Sequence, residues 1–503
     1  MLNRRNFLRA SGGVAAAGAL AGAVPSVSFG ATGSYERLRA GLQGDLLLPT
    51  DSGYDLAKQL QIAQYDAVSP QAIAYCETPQ DVAKAIQFAS SEGIAVRTRS
   101  GGHNYSGWST GEGLVVDVSR IQHAKVNGST LKVGPGASSI RAIEALTPYN
   151  KQIATGTCPT VCPGGFFSGG GIGYQTRKFG TGSDRVTAAT VVLADGSIVR
   201  ASSSYDSSLL WGLRGGGGGN FGVVVDWEVR PVDQPRMVWY EQWWDYDQAP
   251  AIFAAWQAWM ANGSDDLAGQ FVLVTPDAAP GAKPMVLTTG AYLGPQSELE
   301  TALAQLNSLA KTAPLSKVVA DLTYAEAMKR TYHCDQLTVA QCQRAGTTPD
   351  AQLPRTGFQR ESYRVFNREM TATEIEKVLA AYDANRAAGH TRVLHVMGLG
   401  GAANRISRTS TAFWHRDATF VAGFVNQLGA NPSATDVQAA TAWAGNGGRV
   451  LDPMSSGAYV NFTSTELTDW QTKYYGGNYN KLRYVKFAYD PDNFFRHPRS
   501  IGS

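Results

Sequence analysis

Arg97-Thr98-Arg99-Ser100-Gly101-Gly102-His103-Asn104-Tyr105-Ser106-Gly107 sets two glycines directly before a histidine. That order lets bare backbone and an imidazole approach the same ligand. Two further runs follow: Gly164-Gly165-Phe166-Phe167-Ser168-Gly169-Gly170-Gly171-Ile172-Gly173, and Gly215 to Gly219 leading into Asn220-Phe221-Gly222. Glycine supplies 55 of 503 residues, about 11% against a usual ~7%. Glycines at this density present consecutive N–H groups to a pyrophosphate with no side chain in the way. Three such stretches in one part of the chain point to a shared anionic ligand. The last run formally contains G-x-G-x-x-G, but that fingerprint needs a strand before it and a helix after it. Here helix-like Ser207–Leu213 precedes and strand-like Val223–Val229 follows, which argues against a nicotinamide nucleotide.

The rest of the composition is that of an ordinary folded chain, 43% hydrophobic and 17% charged, long enough for about three domains. Lys plus Arg number 44 against 41 Asp plus Glu, with no basic run, so nothing invites nucleic acid or an anionic membrane. Five cysteines are too few for a disulfide scaffold and leave at least one unpaired. Cys158 stands in Gly156-Thr157-Cys158-Pro159-Thr160-Val161-Cys162. Two cysteines four apart with no matching histidine pair make a poor metal site, so no metal is expected. Cys334 and Cys342 flank Asp335–Gln341 and form a candidate loop disulfide. At the amino terminus, Arg4-Arg5-Asn6-Phe7-Leu8 followed by an apolar stretch from Ala10 to Ala23 reads as a twin-arginine signal, too short to span a bilayer. The expected division is 1–31 signal, 32–234 cofactor domain, 235–465 substrate domain, and 466–503 returning to the first.

Strands are expected at Ala95–Arg99, Leu114–Val118, Thr187–Leu193, Ile198–Ala201 and Val223–Val229, with a helix over Asp81–Ser91. From Val238 aromatics crowd an alternating stretch through Trp239, Tyr240, Trp243, Trp244 and Tyr246. Helices at Ala249–Met260, Ser297–Lys311 and Ala372–Arg386 then alternate with strand-like Gln270–Thr275, Met285–Tyr292, Thr391–Met397 and Ala418–Asn426. The fold class is α+β. Tyr474–Ile501 reads as turn-rich.

The motifs above, with Leu210-Trp211-Gly212-Leu213-Arg214, Tyr459-Val460-Asn461-Phe462, Asn478-Tyr479 and Tyr489-Asp490-Pro491-Asp492-Asn493-Phe494, resemble in this order the berberine-bridge-enzyme-like flavoproteins. These lie within the vanillyl-alcohol-oxidase superfamily, with its PCMH-type FAD-binding domain. The resemblance runs from about Tyr65 to Ile501. It implies a two-domain fold, an FAD domain beside a substrate domain whose antiparallel sheet is covered by helices. It implies FAD bonded through the 8α-methyl to His103 and through C6 to Cys158. Further FAD contacts fall to Arg99, Ser100, Gly101, Gly102, Asn104, Ser106, Val161, Gly164, Gly165, Ser168, Gly169, Gly170, Gly173, Gly222, Val223, Asn478 and Tyr479. Relatives often carry Gly-Val-Gly-Gly-His where this chain has Cys162-Pro163-Gly164-Gly165-Phe166, and Phe462 lacks a hydroxyl common in relatives.

Oxidising an alcohol requires removal of a hydroxyl proton and of a hydride, so a base must face the flavin. The resemblance gives that role to Tyr459, with Tyr105 as second active-site tyrosine. Asn461, two residues on, would share a strand face with Tyr459 and orient it. His395 and Trp243 are weaker substrate-side candidates. Val161, a small residue three after Cys158, implies by resemblance access for O2. The expected activity is oxidation of a carbohydrate hydroxyl with release of H2O2 by an exported enzyme, periplasmic or extracellular. Its partners would be a small substrate and O2, with a monomer expected and no membrane contact after signal removal. Oxidative tailoring of a glycosylated secondary metabolite is the alternative, and a flavin-holding binding protein the alternative of another class.

Overall fold

The computed structural model describes residues 30–502; the twin-arginine motif and the apolar stretch after it lie outside the described residues. Three sheets organise the chain. The first contains β1 (Asp45–Leu47), β2 (Ala72–Tyr75), β3 (Val96–Arg99) and β4 (Leu114–Asp117) in the order β1-β2-β4-β3. β2 and β3 run parallel to β4, so β3 is an edge strand that hands Arg99 directly to the Ser100–His103 loop. The crossover helix Pro79–Ser91 starts where the sequence requires it. The Thr78 side chain accepts from the Asp81 N–H, Asp81 caps in return, and Val82, Ala85, Ile86 and Ala89 form its buried stripe.

The second sheet holds β5 (Ala124–Asn127), β6 (Thr130–Val133), β7 (Val186–Val192), β8 (Ile198–Ser202) and β9 (Val223–Val229), ordered β5-β6-β9-β7-β8 and antiparallel throughout. Val192, Val223 and Val225 pack with Ala72, Val96 and Val116 in one buried cluster, which joins the two sheets.

The third sheet has seven strands. They are β10 (Arg236–Trp244), β11 (Leu267–Thr275), β12 (Met285–Tyr292), β13 (Ser316–Thr323), β14 (Phe358–Phe366), β15 (His390–Gly398) and β16 (Phe420–Leu428). The order is β13-β10-β12-β11-β15-β16-β14, all antiparallel. One face carries Tyr240, Trp244, Phe271, Leu394 and Phe424 into a large core with Trp256 and Trp443 from the covering helices Ala249–Asn262 and Ala434–Leu451. The other face bears His395, Tyr363 and Glu361. The α+β architecture in two parts is thus the one that the resemblance implies.

β13, β14 and the helices Tyr324–Thr331 and Ala434–Leu451 go beyond the expectations. The turn-rich reading of Tyr474–Ile501 needs correction, because Tyr479–Tyr489 is a helix. Leu482, Val485 and Lys486 give it a buried face, and the buried Lys486 ammonium is satisfied by the Asn220 and Phe495 carbonyls (2.8 and 2.6 Å) and by Asp490. Cys334 and Cys342 form a disulfide, while Cys76, Cys158 and Cys162 are free. Among the described residues, no helix is long and apolar enough to cross a membrane.

Candidate active site

A cleft of about 430 Å³ lies between the glycine-rich loops and the face of the seven-stranded sheet that bears His395, Tyr363 and Glu361. Its first wall is made where two loops touch. A Cβ on Gly101 would stand 2.8 Å from Cys162 Sγ and 2.9 Å from the Thr160 carbonyl, and one on Gly164 2.8 Å from Ser100 Oγ. Only glycine permits this approach, and it brings the His103 loop against the Cys158 loop. Thr160 Oγ1 lies 3.4 Å from His103 Nδ1, and Tyr105 Oη 3.4 Å from Nε2. Arg99 anchors the loop from behind, its guanidinium ion-paired with buried Asp117 and donating to the Ala57 carbonyl (2.9 Å). Asn104 Oδ1 accepts from the N–H groups of Ser106 and Trp108 (3.0 and 3.1 Å), which shapes the turn after His103.

Burial lowers the His103 pKa to about 4, so its imidazole is neutral and keeps a free lone pair at neutral pH. Burial raises the Cys158 thiol to about 11, with the Glu361 charge adding to it. Cys162 is raised further, to about 12, again by burial. It also lines the cleft, with its Sγ facing the Gly136 and Thr160 carbonyls (3.5 and 3.6 Å).

The second wall comes from β14, β15 and β16 and from a turn at 459–462. Tyr459 is 3% exposed. Its oxygen accepts from the Gly171 N–H at 2.8 Å and from Asn461 Nδ2 at 3.0 Å. Burial holds this phenol above the tyrosine range, and hydrogen bonds from Gly171, Asn461 and the Ile172 backbone offset that only in part. The expected pairing of Tyr459 with Asn461 therefore exists, but the strand placing them does not. Residues 459–462 form a turn closed by Phe462 N–H to the Tyr459 carbonyl (3.0 Å). Phe462 packs against Tyr363, Tyr459 and Tyr105, with ring centroids 4.5, 5.2 and 6.4 Å away.

Sequence reasoning missed Glu361, Tyr363, Gln359 and Gln427, all of which line the cleft. Gln427 Nε2 donates to Gln359 Oε1 (2.8 Å), and Gln359 Nε2 donates to Glu361 Oε2 (3.0 Å). Glu361 is 5% exposed and its other oxygen has no partner. Burial raises this carboxyl well above its usual range, and Glu466 adds to the shift. Tyr363 Oη lies 3.0 Å from His395 Nδ1, and Gln270 Oε1 3.3 Å from Nε2. His395 lines the cleft as expected, and burial lowers it to about 4. The only signal for these residues is the odd-numbered face shared by 359, 361 and 363, which needs β14 to be recognised first.

Ser100, Gly102, Val161, Gly165, Ser168, Gly222 and Val223 also line the cleft. Several expected cofactor contacts do not. A Cβ on Gly169, Gly170 or Gly173 would strike Asn461, Phe413 or the Thr155 carbonyl, so these glycines serve packing. Ser106 Oγ donates to Thr463 Oγ1 (2.6 Å) instead. Asn478 donates to the Arg408 carbonyl (2.7 Å), and Tyr479 meets Trp470 edge-on and stacks with Tyr475, outside the cleft. Trp243 sits on β10, three strands from β15, and does not reach the cleft. Among the described residues no cluster of His, Cys, Asp or Glu is suited to a metal ion.

The residues present fit a flavin dinucleotide. At Gly165 an added Cβ meets nothing within 4 Å, and at Gly218 its nearest neighbours are 3.9 Å away. Bare backbone therefore faces open cleft at both places, as a pyrophosphate requires. His103 and Cys158 border the same space. Family models agree. A FAD binding domain matches residues 70–202, a berberine and berberine-like domain residues 458–502, and a twin-arginine translocation signal residues 1–21. FAD-linked oxidoreductase sorD of Penicillium rubens is 31% identical over 462 residues, covering 86% of this chain and 90% of that protein. Chitooligosaccharide oxidase of Gibberella zeae is 28% identical over 448 residues, covering 86% and 87%. A solved structure of glucooligosaccharide oxidase from Acremonium strictum, described for its 6-S-cysteinyl, 8α-N1-histidyl FAD, superposes with TM-score 0.82 at 24% identity. It covers 93% of this chain and 99% of that one. Glycine-built cradle, flanking nucleophiles and these likenesses converge: the chain belongs to the berberine-bridge-enzyme-like FAD-linked oxidases of the vanillyl-alcohol-oxidase superfamily and is an FAD-linked oxidoreductase.

Proposed function

We propose that the protein is an exported carbohydrate oxidase whose FAD is bonded to both His103 and Cys158. Residues 32–234 would hold the cofactor, 235–465 the substrate, and 466–503 close the cofactor half. The observation that carries the reading is the convergence of Tyr459, with two N–H donors on its oxygen, and the unpartnered Glu361 oxygen on a cleft bordered by His103 and Cys158. The oligosaccharide oxidases among its relatives support the substrate class.

Bound FAD would supply the hydride acceptor and the route by which O2 is reduced to H2O2. This chain's residues handle the proton and the substrate. Tyr459 would take the hydroxyl proton as its phenolate, whose charge the Gly171 and Asn461 donors stabilise against the burial that raises its pKa. Glu361 has one oxygen free to bond a neighbouring substrate hydroxyl, while Gln359 fixes the other. His395, kept neutral by burial and paired with Tyr363, offers a further polar contact without a competing charge. The twin-arginine signal supports work in the periplasm or outside the cell.

The test is anaerobic mixing of the purified yellow protein with mono- and oligosaccharides, followed by air. The expected result is bleaching near 450 nm, recovery in air and one H2O2 per turnover. Tryptic peptides containing His103 and Cys158 should both carry flavin mass. Unmodified peptides at both positions defeat the double link, and a flavin that no saccharide bleaches defeats the carbohydrate assignment.

A further inference from the structure

Trp243 fails to reach the cleft, yet it stands on the cleft's face of the sheet. Strand register places Tyr363, Gly423, His395, Val272, Leu287 and Trp243 in one lateral row. The adjacent row on the opposite face, Phe424, Leu394, Leu273, Val286 and Trp244, is sealed under helices. The Trp243 row is not sealed. Val272, Leu287 and Trp243 are half-buried and belong to none of the buried clusters. Val393, Val274 and Met285, in the next row on this face, are half-buried as well. The result is an apolar shelf continuous with the cleft through His395 and Val393, both of which line it.

The shelf ends on a fixed aromatic ring. Trp243 Nε1 donates to Glu241 Oε1 at 2.6 Å, which holds the indole in place. Three strand spacings separate His395 from Trp243, roughly 14 Å, about the span of three linked pyranose rings. An apolar surface that runs on from a reacting cleft suits the far end of whatever molecule reacts there. An indole offers a flat apolar face to the C–H face of a sugar while its N–H stays satisfied.

We propose that Trp243 is a distal platform for the non-reacting end of an oligosaccharide whose reducing or oxidised unit lies at Tyr459. The proposal rests on the carbohydrate reading and adds chain length to it. Stacking so far from the reacting carbon is the same in ground and transition states. It therefore acts on KM and leaves kcat alone.

The experiment compares wild type, Trp243→Ala and Trp243→Phe, with flavin content per chain measured for each. The substrates are glucose through cellotetraose, and N-acetylglucosamine through its β-1,4 tetramer. In the wild type KM should fall with chain length. Trp243→Ala should raise the tetramer KM about tenfold with kcat unchanged and the monomer kcat/KM unaltered, and Trp243→Phe should retain most of the tetramer affinity. Equal loss for monomer and tetramer, or no loss for either, overturns the platform while the carbohydrate reading stands. If no saccharide of any length reduces the flavin, the carbohydrate reading falls and takes the platform with it.

Discussion

The glycine-rich wall of the cleft and its sheet wall meet the same space with different materials. On the first, Gly101, Gly164 and Gly165 matter for the side chains they lack, and the backbone itself comes to the ligand. On the second, Gln359, Glu361, Tyr363 and His395 matter for what they carry, and the backbone is consumed in strand pairing. A cofactor with a fixed shape can be held by backbone. A substrate that must be discriminated has to be read by side chains, which can change without disturbing the fold. The comparison makes a separable claim: damage to the first wall removes flavin, and damage to the second removes turnover.

The strongest way to break that claim is Tyr459→Phe. The ring keeps its packing against Phe413 and Phe462 but loses the oxygen. We expect the rate of anaerobic flavin reduction to fall about a thousandfold with flavin content unchanged, read by stopped-flow absorbance. Loss of flavin instead would show that the two walls are not separable. The complementary change is Gly101→Ala, whose new methyl collides with Cys162 Sγ and the Thr160 carbonyl. Flavin per chain, measured at 450 nm, should drop at least about twofold. Adding Cys162→Ala relieves the thiol contact but not the carbonyl, so rescue should be partial.

The same contrast explains what could be read from sequence. Gly101-Gly102-His103 and the Cys158 loop are legible because a backbone requirement forbids substitution and leaves a fixed local pattern. β9 and β12 were expected with their observed limits, since Val223–Val229 and Met285–Tyr292 are apolar runs between turns. Glu361 was not legible. Phe358–Phe366 carries Arg360, Glu361 and Arg364, which as text suggest a solvent-facing segment, and only pairing with β16 buries Glu361 and Arg364. Asn478, Tyr479 and Trp243 stand in recognisable contexts, yet their side chains are drawn into local packing or a distant strand. Motif position therefore located loops better than it located contacts.

A buried ion pair links the two halves of the chain, and it sharpens the comparison. Arg416, from the sheet half, makes a bidentate pair with Asp184, from the glycine half, at 2.7 and 2.8 Å with both side chains 2% exposed. Asp184→Ala leaves that guanidinium buried and unpaired and should cost about 3–5 kcal/mol, seen as a lower denaturant midpoint. If flavin loading and turnover then fall together, this pair is where the walls are coupled. A related acid sensitivity follows from His415, 4% exposed and lowered by burial to about 4. Its unfolded form binds a proton near 6.5, so the stability it contributes is present above that pH and lost as pH falls toward 4, worth about 3 kcal/mol. His415→Gln should lessen, not abolish, the fall in thermal stability across that window, because His103 and His395 are lowered to about 4 as well.

The last test addresses the finest claim about the sheet wall, that the donors on Tyr459 lower the pKa that burial raises. Asn461→Ala removes one of two N–H groups and leaves Gly171 in place. Loss of one hydrogen bond to a charge-bearing oxygen is worth about 1–2 kcal/mol, so flavin reduction should slow about tenfold. Slowing alone would also follow from a loosened turn. The distinguishing readout is pH. A phenol with one donor fewer ionises later, so the rising limb of rate against pH should move to higher pH in Asn461→Ala. Asn461→Gln, if its amide reaches the same oxygen, should move the limb part of the way back. A slower enzyme with an unmoved limb would leave Asn461 with a packing role and return the question of basicity to Gly171 and the cofactor.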